Sequence, residues 1–279
     1  MKRSAISWCD FSGGDLNFVT GCTKVSEGCR FCFAEAIYER FGRDFSKVRI
    51  HPEKVEKLLR ARWPQDGNVR GPHSKPLLFL CDTGDLFHPD VPADFIIYAF
   101  EVMAARRDAD WVVLTKRPER MAEVLFNAEG NYYLGGGDCC PNIILGVTAE
   151  NQEMADQRIP ILMRNWVGLT LVSVEPMLGP MDLSPYLRCE FYAGPLIEPR
   201  AGTIGGQPMP AERIRPPLDW VICGGESGPK RRPFYKPWAS ALYAECLDAG
   251  VPFFFKQSGG LRPGSDATLG GHIIQEWPK

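Results

Sequence analysis

The stretch of sequence that most strongly indicates a fold is residues 21–33, GCTKVSEGCRFCF. It places Cys22, Cys29 and Cys32 at the spacing C-x6-C-x2-C. Three thiolates from one loop can hold three irons of a [4Fe–4S] cluster, and the fourth iron then has no protein ligand. Such an open iron can bind an exogenous molecule. The spacing therefore favours an iron–sulfur site with chemistry at the open iron.

Two other interpretations of the three cysteines are open from spacing alone. A structural zinc site needs a fourth ligand, and the sequence has no second C-x-x-C pair and no H-x3-5-H motif. Cys9 or one of His51, His73 and His88 could supply that ligand. Alternatively, the three thiols bind nothing. The chain has 10 cysteines, and those outside the stretch are expected to be ordinary buried thiols.

On both sides of this stretch, short β-rich runs alternate with helix-like runs. Seven runs are predicted as strands, at residues 16–20, 77–81, 111–115, 143–148, 169–174, 220–223 and 252–256. Helices are predicted at residues 32–41, 52–62, 93–106, 117–126, 152–164 and 238–249. Most of the strands are continuously apolar, as in a parallel sheet covered on both faces. The alternation indicates an α/β fold, either a partial or complete (β/α) barrel or, as the competing architecture, an open doubly wound sheet.

Ionisable or amide side chains follow six consecutive predicted strands. These residues are Asp82 and Asp85, Lys116 and Arg117, Glu150 and Asn151, Ser173 and Glu175, Glu226, and Lys256 and Gln257. In parallel α/β folds, ligand-binding and catalytic residues sit at the carboxyl ends of the strands. A fold by itself does not require such a series of polar strand ends. The series therefore predicts an enzyme.

Two stretches interrupt the alternation of strands and helices. Residues 127–138 are rich in glycine and are expected to form a loop. Residues 187–217 contain many Pro, Gly and Arg residues with weak periodicity, and are predicted to be an insertion before the sixth strand. No linker divides the chain, so residues 1–279 are expected to form a single barrel domain.

The composition of the 279-residue chain narrows the class of protein. With 32 Lys and Arg against 34 Asp and Glu, the net charge of −2 gives no strong field for nucleic acid or membrane. There is no run of 18 apolar residues that could cross a membrane. The N-terminus reaches an acid and two glycines before any apolar segment forms, which argues against a signal peptide. We therefore expect a cytoplasmic protein without membrane contact, whose thiols stay reduced.

Seven short motifs occur in order between residues 17 and 260: FVTGCTKVSEGCRFCFAE, GDLFHPDVP, LTKRPERM, LGVTAEN, SVEPMLGP, WVICGGESGP and GVPFFFKQSGG. Through them the chain resembles the phage three-Cys-motif family, a domain of unknown function. That family in turn resembles radical S-adenosylmethionine (SAM) enzymes, whose C-x3-C-x-Φ-C signature has an aromatic residue before the last cysteine. Phe31 occupies the aromatic position here. The first gap has six residues instead of three, which bears on the path of the loop and not on the ligand count.

The resemblance implies a [4Fe–4S] cluster held by Cys22, Cys29 and Cys32, with SAM at its open iron. The residues assigned to cofactor binding are Phe31, Thr83, Gly84, Asp85, Lys116, Arg117, Glu150, Asn151 and Ser173. The residues assigned to catalysis are Lys116, Glu175, Glu226 and Lys256.

These assignments follow from chemistry that the resemblance places at each strand end. At residues 83–85, a carboxylate and backbone carbonyls suit the ammonium of SAM, with Asp82 as the alternative acid and a helix cap as the alternative role of Asp85. Cations after the third strand suit the SAM carboxylate or a substrate phosphate. Glu150 and Asn151 suit ribose hydroxyls, or they cap the following helix.

A glycine-rich loop at residues 224–228 is expected on the substrate side of the site. It leads into residues 230–236, KRRPFYK, where cations are interleaved with aromatic rings. Such a mixture suits contacts with phosphates and bases. The alternative is a solvated charged face.

The resulting hypothesis is a radical SAM enzyme that modifies or isomerises a nucleotide, or a hypermodified thymidine-derived DNA base of a phage. The resemblance implies cleavage of SAM to methionine and a 5′-deoxyadenosyl radical, with the electron supplied by a flavodoxin or ferredoxin in the host cytoplasm. One alternative is a metal-stabilised protein that binds nucleic acid or a partner without radical chemistry. Another is a cluster-free barrel hydrolase that uses Asp85, Glu150 and Glu175.

Overall fold

The main sheet is built from parallel strands that follow one another in chain order. The computed structural model describes residues 3–63, 69–71, 74–125, 140–166, 168–188, 203–204, 207–208 and 218–278. The strands are β1 (Phe11–Ser12), β2 (Val19–Thr20), β3 (Arg49–Ile50), β4 (Leu77–Phe79), β5 (Asp110–Thr115), β6 (Ile143–Thr148), β7 (Thr170–Val174), β8 (Thr203–Ile204), β9 (Gln207–Pro208), β10 (Trp220–Gly224) and β11 (Phe253–Gln257). Seven of them form one sheet in the order β1-β4-β5-β6-β7-β10-β11.

This strand order decides between the two predicted architectures. A doubly wound sheet reverses its strand order at a switch point, whereas here every neighbouring pair is parallel and sequential along the chain. Right-handed crossovers then place the intervening helices on one face, and the sheet curls into a half-barrel. The prediction of an α/β partial barrel is confirmed. The doubly wound alternative is wrong.

The first strand of the sheet is not the one that the sequence predicts. Residues 16–20 were expected to form it, but β1 lies at Phe11–Ser12 and pairs with β4. Within the expected stretch, β2 pairs antiparallel with β3 outside the main sheet. The apolar side chains of Leu16 and Phe18, on which the strand prediction depends, are buried in the core without forming part of the main sheet. A two-residue strand such as β1 is too short to show any periodicity.

Most of the helices pack on one face of the half-barrel. They are α1 (Phe33–Arg40), α2 (Pro52–Leu58), α3 (Ala93–Ala105), α4 (Pro118–Leu125), α5 (Gln152–Asn165), α6 (Ser184–Leu187) and α7 (Lys236–Ala249). In β5, Trp111 and Val113 point to the cluster that holds the buried faces of α3, α4, α5 and α7, whereas Val112 points to the opposite, inner face. This period of two repeats in β6, β7, β10 and β11.

Aromatic residues from both ends of the described chain fill the inner face. Trp8 packs against Phe79 at a ring distance of 4.8 Å and against Trp220 at 6.0 Å. Trp277 packs on Phe254 at 5.0 Å, and its indole N–H donates to the Trp8 carbonyl. This packing joins the two ends of the described chain on the inner face of the sheet.

The two predicted interruptions lie mostly outside the described residues. The loop at residues 127–138 is entirely outside them, and so is most of the insertion at residues 187–217. Within the latter, β8 and β9 pair antiparallel. Across the described part of the chain, no helix combines the length and apolarity that a membrane span requires.

Candidate active site at the carboxyl edge of the sheet

The three-cysteine loop (residues 21–33) enters the carboxyl edge beside β4. Gly21 forms a parallel bridge with Gly84, and its N–H donates to the Thr83 carbonyl at 3.0 Å. A Cβ on Gly84 would lie 2.6 Å from the Val19 carbonyl oxygen, so only glycine permits this approach. The predicted cofactor residues Thr83 and Gly84 thus pack directly against the start of the loop.

All three cysteines of the loop are free and partly exposed. Among the described residues, no three His, Cys, Asp or Glu side chains converge closely enough to hold a metal ion. The donor set itself, three thiols on one loop at the carboxyl edge of the sheet, matches the ligands of an iron–sulfur cluster. It fits that group by its chemistry, although the side chains are not gathered around one point.

The residues considered as a fourth zinc ligand are engaged elsewhere or lie outside the description. The Nε2 atom of His51 hydrogen-bonds Thr20, and that of His88 hydrogen-bonds the Thr23 hydroxyl at 2.8 Å. Cys9 is fully buried in the inner-face cluster. His73 is not among the described residues.

The other described cysteines are ordinary buried thiols, as the sequence predicts. Cys9, Cys81, Cys140, Cys223 and Cys246 are all buried. Burial raises the pKa of Cys9 and of Cys81 to about 12, so neither thiol ionises near neutral pH. Cys139 and Cys189 lie outside the described residues.

Arg117 ties the three-cysteine loop to the sheet. Its guanidinium donates to Asp85 Oδ2 at 2.8 Å, to the Thr23 carbonyl at 2.8 Å and to the Thr23 hydroxyl at 3.1 Å. The same group lies 3.3 Å from Cys22 Sγ. Burial raises the pKa of the Cys22 thiol, the charge of Asp85 acts in the same direction, and Arg117 opposes both. The sulfur of the first cysteine therefore lies beside the buried ion pair of Arg117 and Asp85.

The Asp85 carboxylate is surrounded by donors from the chain itself. It accepts hydrogen bonds from the Phe87 N–H, the Thr115 hydroxyl, the Lys116 N–H and the Arg117 guanidinium. A carboxylate has about four lone-pair sites for acceptance. These four donors occupy the lone-pair sites of the Asp85 carboxylate, and the side chain is buried. The alternative acid, Asp82, is partly exposed, and burial raises its pKa.

The Glu150 carboxylate binds the middle of the loop, at Gly28. Its Oε1 accepts from the Gly28 N–H at 3.2 Å, and its Oε2 pairs with Arg158 at 3.0 Å. Burial works against the charged form, but the Ser26 hydrogen bond and the charges of Arg158 and Lys116 outweigh it and lower the pKa of Glu150. The carboxylate is thus a buried anchor for the loop.

Replacing Gly28 by alanine is expected to destabilise the protein. A Cβ at this position would lie 2.9 Å from Glu150 Cδ, so the anchor or the loop must move, at a cost of about 1–3 kcal/mol. The control is Gly179→Ala, because nothing lies within 4 Å of a Cβ there. Urea unfolding of both variants measures the difference. Equal unfolding midpoints would show that the close approach of Gly28 and Glu150 is not a constraint.

Glu175 and Lys256 form an ion pair on the inner face, with Lys256 Nζ 2.7 Å from Glu175 Oε1. Glu175 directly follows β7 and Lys256 belongs to β11, and these two strands lie on either side of β10. Between them is Gly224, where a Cβ would lie 3.1 Å from the Glu175 oxygen. The glycine on the middle strand therefore leaves room for the pair. The Ser173 hydroxyl donates to the other oxygen of Glu175 at 3.2 Å.

Arg232 fastens the loop on its second side. It donates to both carboxylate oxygens of Glu226 and, at 3.0 Å, to the Glu27 carboxylate. Its guanidinium also lies 5.3 Å from the ring centre of Phe31. The Glu226 side chain is largely buried, and the guanidinium of Arg232 balances its negative charge. Arg117, Glu150 and Arg232 therefore each bind the loop, in addition to the contacts that Gly21 and Thr23 make with Thr83 and His88.

The remaining predicted site residues lie around this loop. Asn151 caps α5, since its Oδ1 accepts from the Met154 N–H at 2.9 Å. Lys116 is partly exposed, and its charge acts on Glu150. Gln257 is buried and donates to the Gly225 carbonyl.

Two open clefts lie beside the loop and share Arg232 and Pro233. The first, of about 480 Å³, is lined by Glu27, Asn151, Leu178, Arg232, Pro233, Tyr235 and Trp238. The second, of about 580 Å³, is lined by Arg231, Arg232, Pro233, Phe234, Lys236, Ser258, Gly259 and Asp266. The rings of Tyr235 and Trp238 are 4.9 Å apart, and Tyr235 is 58% exposed. The predicted basic and aromatic stretch thus lines an aromatic cleft and a polar one.

Arg158 is the site residue that the sequence analysis missed. It lies on α5 with Ala155, Ile159 and Leu162, which form the buried face of that helix. A charged residue within an apolar helical stripe predicts a buried partner. That signal was present in the sequence, but it does not identify which acid is the partner.

Comparisons with known proteins give one family and a set of distant structures. The family model described as "Protein of unknown function (DUF5131)" matches residues 3–273. No curated protein matches the chain. A spore photoproduct lyase double mutant with bound AdoMet and dinucleoside spore photoproduct is 12% identical, with a TM-score of 0.42. The lyase complexed with dinucleoside spore photoproduct is 11% identical, with a TM-score of 0.40. Each match covers 85% of this chain and 61% of the lyase, so the chain spans less than two thirds of their length.

Proposed function

The chain belongs to the DUF5131 family of proteins of unknown function, and from the geometry of its site we propose that it is a radical SAM enzyme. Cys22, Cys29 and Cys32 would hold a [4Fe–4S] cluster. The observation that carries the proposal is a loop with three free thiols, fixed to the carboxyl edge of a half-barrel by Arg117, Glu150 and Arg232 among other contacts. When bound, the cluster and SAM supply one-electron cleavage of SAM and a 5′-deoxyadenosyl radical.

The chain's own residues orient the reacting molecules around that group. Phe31 in the loop, and Thr83, Gly84, Asn151 and Ser173 at or after the carboxyl ends of the strands, are proposed to position SAM. Asp85 and Glu150 would act indirectly, because both are buried in ion pairs and hold the loop in place.

The proposed catalytic groups lie on the inner side of the same edge. Glu175 and Lys256 are 2.7 Å apart and can hold or exchange a proton at a bound substrate. Lys116 offers a further cation, and Glu226 fixes Arg232 at the border of both clefts. The cluster-free hydrolase is disfavoured, since buried Asp85 and Glu150 are not available for acid–base catalysis.

We propose a nucleotide, or a thymidine-derived base in phage DNA, as the molecule modified or isomerised. The support is the pair of adjoining clefts, because exposed Tyr235 and partly buried Trp238 suit stacking with a base, and Arg231 and Lys236 suit a phosphate. The electron donor is proposed to be a flavodoxin or ferredoxin in the cytoplasm of the host, and residues 1–279 are proposed to form one catalytic domain.

Anaerobic reconstitution tests the proposed activity. The wild-type protein is expected to bind about four irons and about four sulfides per chain, and to release methionine and 5′-deoxyadenosine from SAM after reduction. Metal analysis and chromatography of the products measure both. One tightly bound zinc without SAM binding would instead support the alternative of a metal-stabilised binding protein.

The substrate class has a separate test. Nucleosides from phage DNA produced with and without the gene are compared by mass spectrometry, and a modified nucleoside is expected only with the gene. Tyr235→Ala is expected to lower its yield without changing the iron content. Identical nucleoside profiles would contradict a DNA substrate while leaving SAM cleavage unaffected.

A further inference from the structure

Arg117 contacts the first of the three loop cysteines, Cys22, through its guanidinium group. Its Nη1 is shared between Asp85 Oδ2, at 2.8 Å, and Cys22 Sγ, at 3.3 Å. Cys29 has the Ser26 hydroxyl near its sulfur, at 3.9 Å. Within the described part of the chain, Cys22 is thus the loop cysteine whose sulfur receives a hydrogen bond from a charged group.

The position of the guanidinium is fixed independently of the sulfur. Nη2 donates to the carbonyl and to the hydroxyl of Thr23, and the Arg117 backbone N–H donates to the Thr115 hydroxyl. Arg117 and Asp85 are 9% and 8% exposed. A planar fork that is held at its other donors aims the remaining N–H in a fixed direction. The contact with Cys22 Sγ therefore does not depend on a mobile surface side chain.

Hydrogen bonds to ligand sulfurs and nearby charge are known to set the reduction potential of iron–sulfur clusters. We propose that Arg117 is a positioning residue that fixes Cys22 and, in the loaded protein, donates to its sulfur and raises the reduction potential of the cluster. The second half of this proposal rests on the proposed function. The first half concerns the loop alone and holds without a cofactor.

Two variants separate the loss of the guanidinium from a failure to fold. Arg117→Lys keeps the charge, but one ammonium cannot reach Thr23, Asp85 and Cys22 together. Arg117→Met combined with Asp85→Asn removes both charges of the buried pair, which is often tolerated, whereas removing one is strongly destabilising. Arg120→Lys is the matched control, since it is the same change at an arginine that pairs with Glu123, at 2.9 Å.

Hydrogen exchange of the metal-free protein tests the positioning role. Both Arg117 variants are expected to exchange the amides of residues 21–30 several-fold faster than the wild type, and Arg120→Lys at the wild-type rate. Unchanged exchange in the Arg117 variants would overturn the positioning role, whether or not the protein binds a cluster.

Redox titration of the reconstituted protein tests the donation to sulfur. Both Arg117 variants are expected to retain wild-type iron content and to show a more negative reduction potential, with Arg120→Lys unchanged. An unshifted potential would overturn the donation and leave a purely structural clamp. If the wild type assembles no cluster, the proposed function and the donation fail together, and the exchange result still decides the positioning role.

Discussion

Replacing Cys29 by serine is expected to abolish both the bound cluster and the cleavage of SAM. Iron content should fall from about four atoms per chain to less than about one, and 5′-deoxyadenosine formation should fall to the rate without protein. The physical reason is that serine offers a hard oxygen donor in place of the soft thiolate that iron–sulfur clusters select. Iron and sulfide quantification after anaerobic reconstitution, followed by the SAM-cleavage assay, measures both effects.

The control for this substitution is Cys246→Ala. Cys246 is buried in α7, far along the chain from the loop, and burial raises its pKa well above the usual range of a thiol. Its replacement is expected to leave the iron content and SAM cleavage at wild-type levels. If Cys29→Ser retained its full iron content, Cys29 would be excluded as a ligand. If Cys246→Ala lost iron as well, the loss would report instability and not ligand removal.

Replacing Glu150 by alanine is expected to lower the free energy of unfolding by about 3–5 kcal/mol, because it leaves the buried Arg158 guanidinium without its partner. The Gly28 N–H loses its acceptor in the same step. Urea unfolding at neutral pH measures the loss. The control is the double variant Glu150→Gln with Arg158→Met, which removes both charges and is expected to recover much of it. A loss below about 0.5 kcal/mol in Glu150→Ala would show that the buried pair is not an anchor.

The stabilisation by Glu150 should also depend on pH. Because its pKa is lower in the folded protein than the ordinary value of 4.5, the carboxylate stabilises the fold fully above that ordinary value. The contribution is lost as the pH falls through the lower, folded pKa. The difference in unfolding free energy between wild type and Glu150→Gln is therefore expected to be constant near neutrality and to shrink in acid. If this difference in unfolding free energy grew on acidification, it would contradict a lowered pKa of Glu150 in the folded protein.

Most of the sheet could be predicted from the sequence. β6 lies at Ile143–Thr148, as predicted, and β5, β7, β10 and β11 lie within one residue of their predicted limits at each end. These strands are buried on both faces, and a continuous apolar run bounded by polar residues reports such a strand directly. The first strand could not be found in the same way, because Phe11–Ser12 is held by pairing with β4 and not by a pattern of its own.

The features of the site also fall into two groups. Some are properties of neighbouring residues in the chain, and others are contacts that form only in the folded protein. The sequence by itself determined that three thiols share one loop and that polar side chains follow the strands, since both are properties of neighbouring residues. Only the tertiary structure decided that Arg117 reaches Cys22, that Arg158 neutralises Glu150, and that Arg232 links the loop to the last third of the chain. These contacts join residues 95, 8 and 205 positions apart in the chain. The physical reason is that a buried charge is stable only beside its partner, and which partner it meets depends on how the strands are ordered in the sheet.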